Sequence, residues 1–315
     1  MQVPFFSGLE KAKSVLLAGA GGGFDIYAGL PLLHWLEAQG KTVHLANLSF
    51  VELGSYSGRS PIRELLTIDE GSRCASPYCP ELTLSRWLRQ EGRARPVHAI
   101  ARVGAAGVRR AYRWLYEELG FDTVILIDGG TDILMRGDEP ALGTPQEDIA
   151  SLLAAEALPP SVAKYVVCVG FGVDTFHGVS HGCALENIAA MAQDGGYLGA
   201  WSLTREMEES KFYCQAVDYA TAVYPSMPSI VNKSVACSIE GWFGNRHFTS
   251  RTAGSELFLS PLMALCWAFK LEAISSRLLY SDLVRETEGY FDLDLAIDRF
   301  RSGLEQVRPW TDIPY

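Results

Sequence analysis

The chain has 315 residues, 48% of them hydrophobic, with a mean hydropathy of +0.07, which excludes a disordered chain and allows a large buried core. Lys plus Arg number 27 against 37 Asp plus Glu, a formal net charge of −10 that argues against a nucleic-acid partner. No apolar run reaches the roughly 18 residues of a membrane span, and the N-terminal MQVPFFSGLEKAK lacks a secretory pattern, so a cytoplasmic protein with no membrane partner is expected.

In chain order, β-rich runs alternate with helical patterns. SVLLAG (14–19) predicts a strand, 26–38 a helix and TVHLAN (42–47) a second strand. Helices are predicted near 82–91 and 104–119. The basic clusters at 89–95 and 105–113 read as solvated faces of these helices. Strands follow at 122–128 and 164–171, with a helix at 145–156 between them that Thr144, Pro145 and Glu147 mark as a capping box. A helix at 181–193 and a strand at 197–202 complete the alternating region. Near-continuous apolar strands predict a sheet buried on both faces, hence an α/β, Rossmann-like, doubly wound and mainly parallel sheet with helices on both faces. The whole chain, 1–315, reads as one domain: a core sheet region over 1–204, and a helix-rich C-terminal third, 205–315, packed on it. Within that third, 229–248 reads as an extra strand and a loop, and 257–274 as a buried helix opened by Ser260 and Pro261. The apolar C-terminal helices suit a homo-oligomer. Seven scattered cysteines form no CxxC pair, and the chain reads as reduced.

Three loops at strand ends share one composition: GGGFD (21–25), DGGTD (128–132) and GFGVD (170–174). Glycine lets the backbone turn or approach a ligand closely. Each aspartate can either cap a helix or bind something, and three together predict a shared acidic cleft at the carboxyl edge of the sheet. Clustered carboxylates repel, so a cation or polar substrate group is expected there, with Mg²⁺ suited to oxygen ligands. Asp128, Asp132 and Asp174 are the expected catalytic residues, the first two as metal ligands. Gly21, Gly22, Gly23, Asp25, Gly129, Gly130 and Thr131 are expected to contact the ligand, with Arg136 and Asp138 as secondary candidates on the following loop.

The dinucleotide fingerprint GxGxxG aligns Gly19, Gly21 and Phe24, so its third glycine is missing. Asn47 stands where an acid would hold the ribose, and neither NAD nor flavin is favoured. GGGFDI is similar to the SGGxDS signature of PP-loop ATP pyrophosphatases, although Gly21 and Ile26 replace its serines. IDGGTDILMRGDEPALGTPQEDI (127–149), with GGGFD, GFGVD and LSPLMAL, resembles the domain-of-unknown-function family 1152 of archaea and bacteria. That resemblance implies a Rossmann-like fold and supplies no reaction.

Asp174, His177 and His181 stand at DxxHxxxH spacing. If 177–181 were one helical turn, both imidazoles could share a metal; the surrounding glycines favour a loop, in which either His contacts substrate. Cys183, just beyond, reads as a buried thiol before a nucleophile. The loop 240–252 gathers Trp242, Asn245, Arg246, His247 and Arg251, of which Arg246 is taken as a ligand contact. The favoured function is a Mg²⁺-assisted transferase or hydrolase acting on a nucleotide or phosphorylated small molecule. The alternatives are a transition-metal-dependent amide or amine hydrolase, and a non-catalytic sensor or interaction protein.

Overall fold

In strand β1 (Ser14–Gly19), Val15 and Leu17 enter one core cluster while Leu16 and Ala18 enter another, and all four are fully buried. A period-two pattern that is apolar on both faces is what a sheet covered on both sides demands. The computed structural model describes residues 2–249 and 252–312. It contains a nine-stranded sheet, with β2 (Thr42–Ser49), β3 (Arg59–Ile62), β4 (Leu65–Ile68), β5 (Val97–Ala101), β6 (Thr123–Gly129), β7 (Ala163–Val169), β8 (Tyr197–Ser202) and β9 (Leu265–Lys270) joining β1. The order is β8-β9-β7-β6-β1-β2-β5-β4-β3. The central strands β5, β2, β1, β6 and β7 are parallel, and the two flanks are antiparallel. This is an α/β Rossmann-like fold.

Helices Ala105–Leu119 and Pro145–Glu156 cover one face. Leu30–Ala38, Pro80–Gln90 and Glu208–Val223 cover the other. The single predicted helix over 26–38 is two, Asp25–Ala28 and Leu30–Ala38. Pro31 falls in the first turn of the second, where its missing N–H costs nothing. The basic clusters lie against acids: Arg93 and Arg95 on Glu37, Arg109 on Glu286, Arg110 on Glu64 and Glu288. Among the described residues, no helix is long and apolar enough to cross a membrane.

Several expectations are corrected. Residues 265–270 form a strand, not part of a helix, because LCWAFK alternates its burial and pairs with β7 and β8 in the interior of the sheet. Pro261 opens only a 3-10 turn, Pro261–Ala264. The last third therefore supplies a strand to the main sheet as well as helices that pack on it. Segment 229–248 opens with helix Ile230–Ile239, capped by Ser229 accepting from the Asn232 N–H, with only Gly244–Asn245 extended. Strand β5 carries no prediction from the sequence. Cys74 and Cys79, read as thiols, are joined by a disulfide; the other five cysteines are free.

Candidate functional site

Parallel strands β1 and β6 are neighbours, and their onward connections leave in opposite directions, β1 toward β2 and β6 toward β7. This is a topological switch point, where the loops diverge and a crevice opens beyond the carboxyl ends of the strands. Gly19 pairs with Ile127, so GGGFD and DGGTD flank the crevice side by side. A cavity of about 600 Å³ lies there, lined by Gly21, Gly22, Asp25, Asp128, Gly129, Asp132, Asp174 and His177 among others. Three separate loops thus meet at one place.

Each aspartate is held differently. Asp25 begins the short helix and turns its carboxylate inward, where Oδ2 accepts the Gly21 N–H at 2.7 Å. Gly22 and Gly23, at φ of 90° and 59°, make that reversal, and Gly22 also lets the Phe50 ring close on the loop. Asp132 Oδ2 accepts from the Thr144 N–H at 2.8 Å and hydroxyl at 3.0 Å. The Thr144 hydroxyl is therefore spent on Asp132, and the expected capping box does not form; Glu147 instead accepts from the Tyr290 hydroxyl at 2.9 Å. Asp174 Oδ2 accepts the Thr131 N–H at 2.6 Å, and Gly130 gives it room.

A fourth carboxylate, Asp148 on helix Pro145–Glu156, reaches the same place. One oxygen each from Asp25, Asp128 and Asp148 lie within 4.8 Å of one another. Asp128, at the end of β6, belongs to this group, whereas Asp132 is turned to Thr144. Three residues beyond Asp148 on the same helix face, the Ser151 hydroxyl donates to Ala20 O at 2.9 Å and ties the helix to the first loop. The sequence signal for Asp148 was available: PQEDIASLLAAE is apolar nearly all round, so its acid and its serine must be buried together.

Burial raises every carboxyl in the cluster. Asp25 is pushed up to about 8, by desolvation first and the Asp132 charge second. Asp128, Asp148 and Asp174 rise well above the usual carboxylate range, desolvation leading and their mutual repulsion adding to it. Asp132 is raised by desolvation against the opposing hydrogen bonds from Thr144. Such a site favours either protons or a cation.

Of the predicted residues on the later loops, His177 reaches the cavity and the others lie elsewhere. His177 closes the 3-10 turn Val173–His177 and faces the cavity, but His181 starts the next helix and pairs with the Thr175 hydroxyl at 3.1 Å. The two imidazoles share no helix face. Cys183 is buried in the core. Arg136 and Asp138 are ion-paired at 3.1 Å, and Asp138 also accepts from Arg308 at 2.9 Å, so both brace the C-terminal segment. Arg246 stacks over Trp242 at 5.5 Å, outside the cavity lining; Arg251 lies outside the described residues. Asn47 is fully buried and donates to Gly23 O at 2.9 Å and to Glu81 at 2.8 Å, so it braces the loop from beneath.

A search of curated proteins finds no match to the chain. The family described as protein of unknown function (DUF1152) matches residues 83–300, and the chain belongs to that family.

Proposed function

We propose, with that membership as the premise, that the protein is a cytoplasmic enzyme that binds a nucleotide or other phosphorylated small molecule in this cavity and, assisted by Mg²⁺, transfers or hydrolyses its phosphoryl group. The observation that carries the reading is the meeting of the three glycine–aspartate loops around one 600 Å³ cavity at the switch point of the sheet. A phosphate would be repelled by these carboxylates alone, so the reading requires a cation between them, which would neutralise charge gathering on the phosphoryl oxygens. Phe50, 43% exposed, and Tyr78 also line the cavity and give it an aromatic wall against which a base could lie. Asp132 and Asp174, fixed by backbone N–H groups, orient the substrate, and His177 at the mouth moves a proton at the attacking or leaving oxygen.

The cytoplasmic part of the reading draws on the five free thiols and runs against the Cys74–Cys79 disulfide; cell fractionation tests it, and recovery outside the cytoplasmic fraction counts against it. A homo-oligomer is part of the reading, supported by exposed Leu279, Leu283 and Phe291 in the C-terminal third, and is tested by light scattering.

A thermal-shift screen against nucleotides and phosphorylated metabolites with Mg²⁺ tests the function. A ligand at a hundred times its dissociation constant adds about 2.7 kcal/mol; the shift is expected in the wild type and absent in Asp25→Ala. Silence across the screen overturns the reading in favour of a partner-binding protein. The transition-metal hydrolase has less support, since His181 is committed to Thr175.

A further inference from the structure

We infer that Asp25, Asp128 and Asp148 form a binding site for one divalent cation with hard-oxygen preference, Mg²⁺ or Mn²⁺. An acidic cluster alone would not show this. The independent observation is that Asp148 is 1% exposed and neither of its carboxylate oxygens has a hydrogen-bond partner among the described residues, while Asp128, 2% exposed, has an Oδ2 likewise unpartnered among them. Buried polar atoms almost always find a partner, and a carboxylate stripped of water without one is costly. These oxygens meet one from Asp25, which is half-buried and whose Oδ2 also accepts the Gly21 N–H, so the group converges from three elements: the first loop, the end of β6 and helix Pro145–Glu156.

The backbone is shaped around that convergence. A Cβ at Gly21 would lie 2.6 Å from Asp25 Oδ2 and 2.8 Å from Asp148 Oδ1, and one at Gly129 would lie 2.8 Å from Asp25 Oδ1. Glycine at these two positions leaves room for the Asp25 and Asp148 carboxylates. Metal–oxygen bonds of about 2.1–2.4 Å accommodate ligand oxygens separated by up to about twice that length, so ligand oxygens within 4.8 Å suit one ion. The group contains no imidazole or thiolate, which selects against zinc and copper. Asp25 and Asp128 also line the cavity, so an ion held here faces whatever occupies it.

The site stands whether or not the substrate is phosphorylated, and its test uses no nucleotide. The full chain is freed of metal with chelator and titrated with Mn²⁺, free ion being read by electron paramagnetic resonance. One Mn²⁺ per chain is expected, displaced by Mg²⁺, with affinity at least tenfold weaker in Asp148→Asn and unchanged in the surface control Glu117→Gln. Gly21→Ala, whose methyl would intrude on Asp148, weakens binding too and serves where Asp148→Asn fails to fold. Wild-type protein that binds no Mn²⁺ at millimolar concentration, or variants that bind as the wild type does, overturns the inference. Nucleotide binding measured separately can fail while Mn²⁺ binding persists, which would reject the phosphoryl reading and leave the site intact.

Discussion

Asp148 and Asp25 set the response of the protein to pH. In the metal-free fold the Asp25 carboxyl titrates at about 8 rather than at its ordinary 3.8, so between those values the folded chain holds a proton that the unfolded chain has lost. The stability linked to that group is present below the lower value and disappears as pH rises through the upper one. His98 acts oppositely. Burial lowers it to about 4, so its contribution is lost as pH falls below about 6.5. Above that point its effect is complete, and the acid cluster governs. We expect the melting temperature of chelated protein to fall by several degrees between pH 6.5 and 8, the fall to shrink in Asp148→Asn, and Mn²⁺ to restore the loss in the wild type. A flat profile in calorimetry would contradict the assignment of these burial shifts. The sequence made Asp25, Asp128, Asp132 and Asp174 visible because each stands within two residues of glycine at a strand end, Asp128 before its glycines and the other three after theirs. Asp148 carries a weaker signal, the burial that its largely apolar helix imposes, and TPQE beside it resembles a capping box that accounts for the local acids without it. Thr144 gives its hydroxyl to Asp132 instead, a choice that only the packed loops decide.

Helix Pro145–Glu156 joins fold to site. Its apolar body packs on the sheet, while Asp148 and Ser151 face the first loop. Replacing Ser151 with Ala leaves Ala20 O without its buried donor and should cost about 1–3 kcal/mol, seen as a lower denaturant midpoint, with weaker Mn²⁺ binding as the loop and helix part. Strands β1 and β8 were legible to the residue, since Gly and polar residues bound both apolar runs. Strand β9 was not. Ser260-Pro261 reads as a helix start, and the apolar run through Ile274 is longer than a strand needs. Local propensity there is overridden by pairing with β7 and β8. Strand β5 was missed for the opposite reason: VHAIA is short, and its polar His98 is satisfied by Thr67 on the adjacent β4, a partner remote in sequence.

For the whole molecule, the decisive feature is where β9 lies. A boundary near residue 204 is suggested by the sequence, yet a chain ending there would leave β7 and β8 with nothing between them. Such a truncation is expected to lack the cooperative unfolding transition of the full chain in circular dichroism. A truncated chain that unfolds cooperatively with native-like stability would show that the core sheet is self-sufficient.

The same arrangement bears on how the protein is made. By the time a ribosome has produced residues 1–204, four of the five parallel strands have long been available, and β7 has been waiting with an open edge since residue 169. That edge is capped only after nearly a hundred further residues have emerged, when β9 arrives and bridges it to β8. Non-local pairing of this kind is slow, and open edges recruit foreign strands. The nascent chain therefore carries an aggregation hazard late in synthesis, at a strand edge that the finished fold no longer exposes.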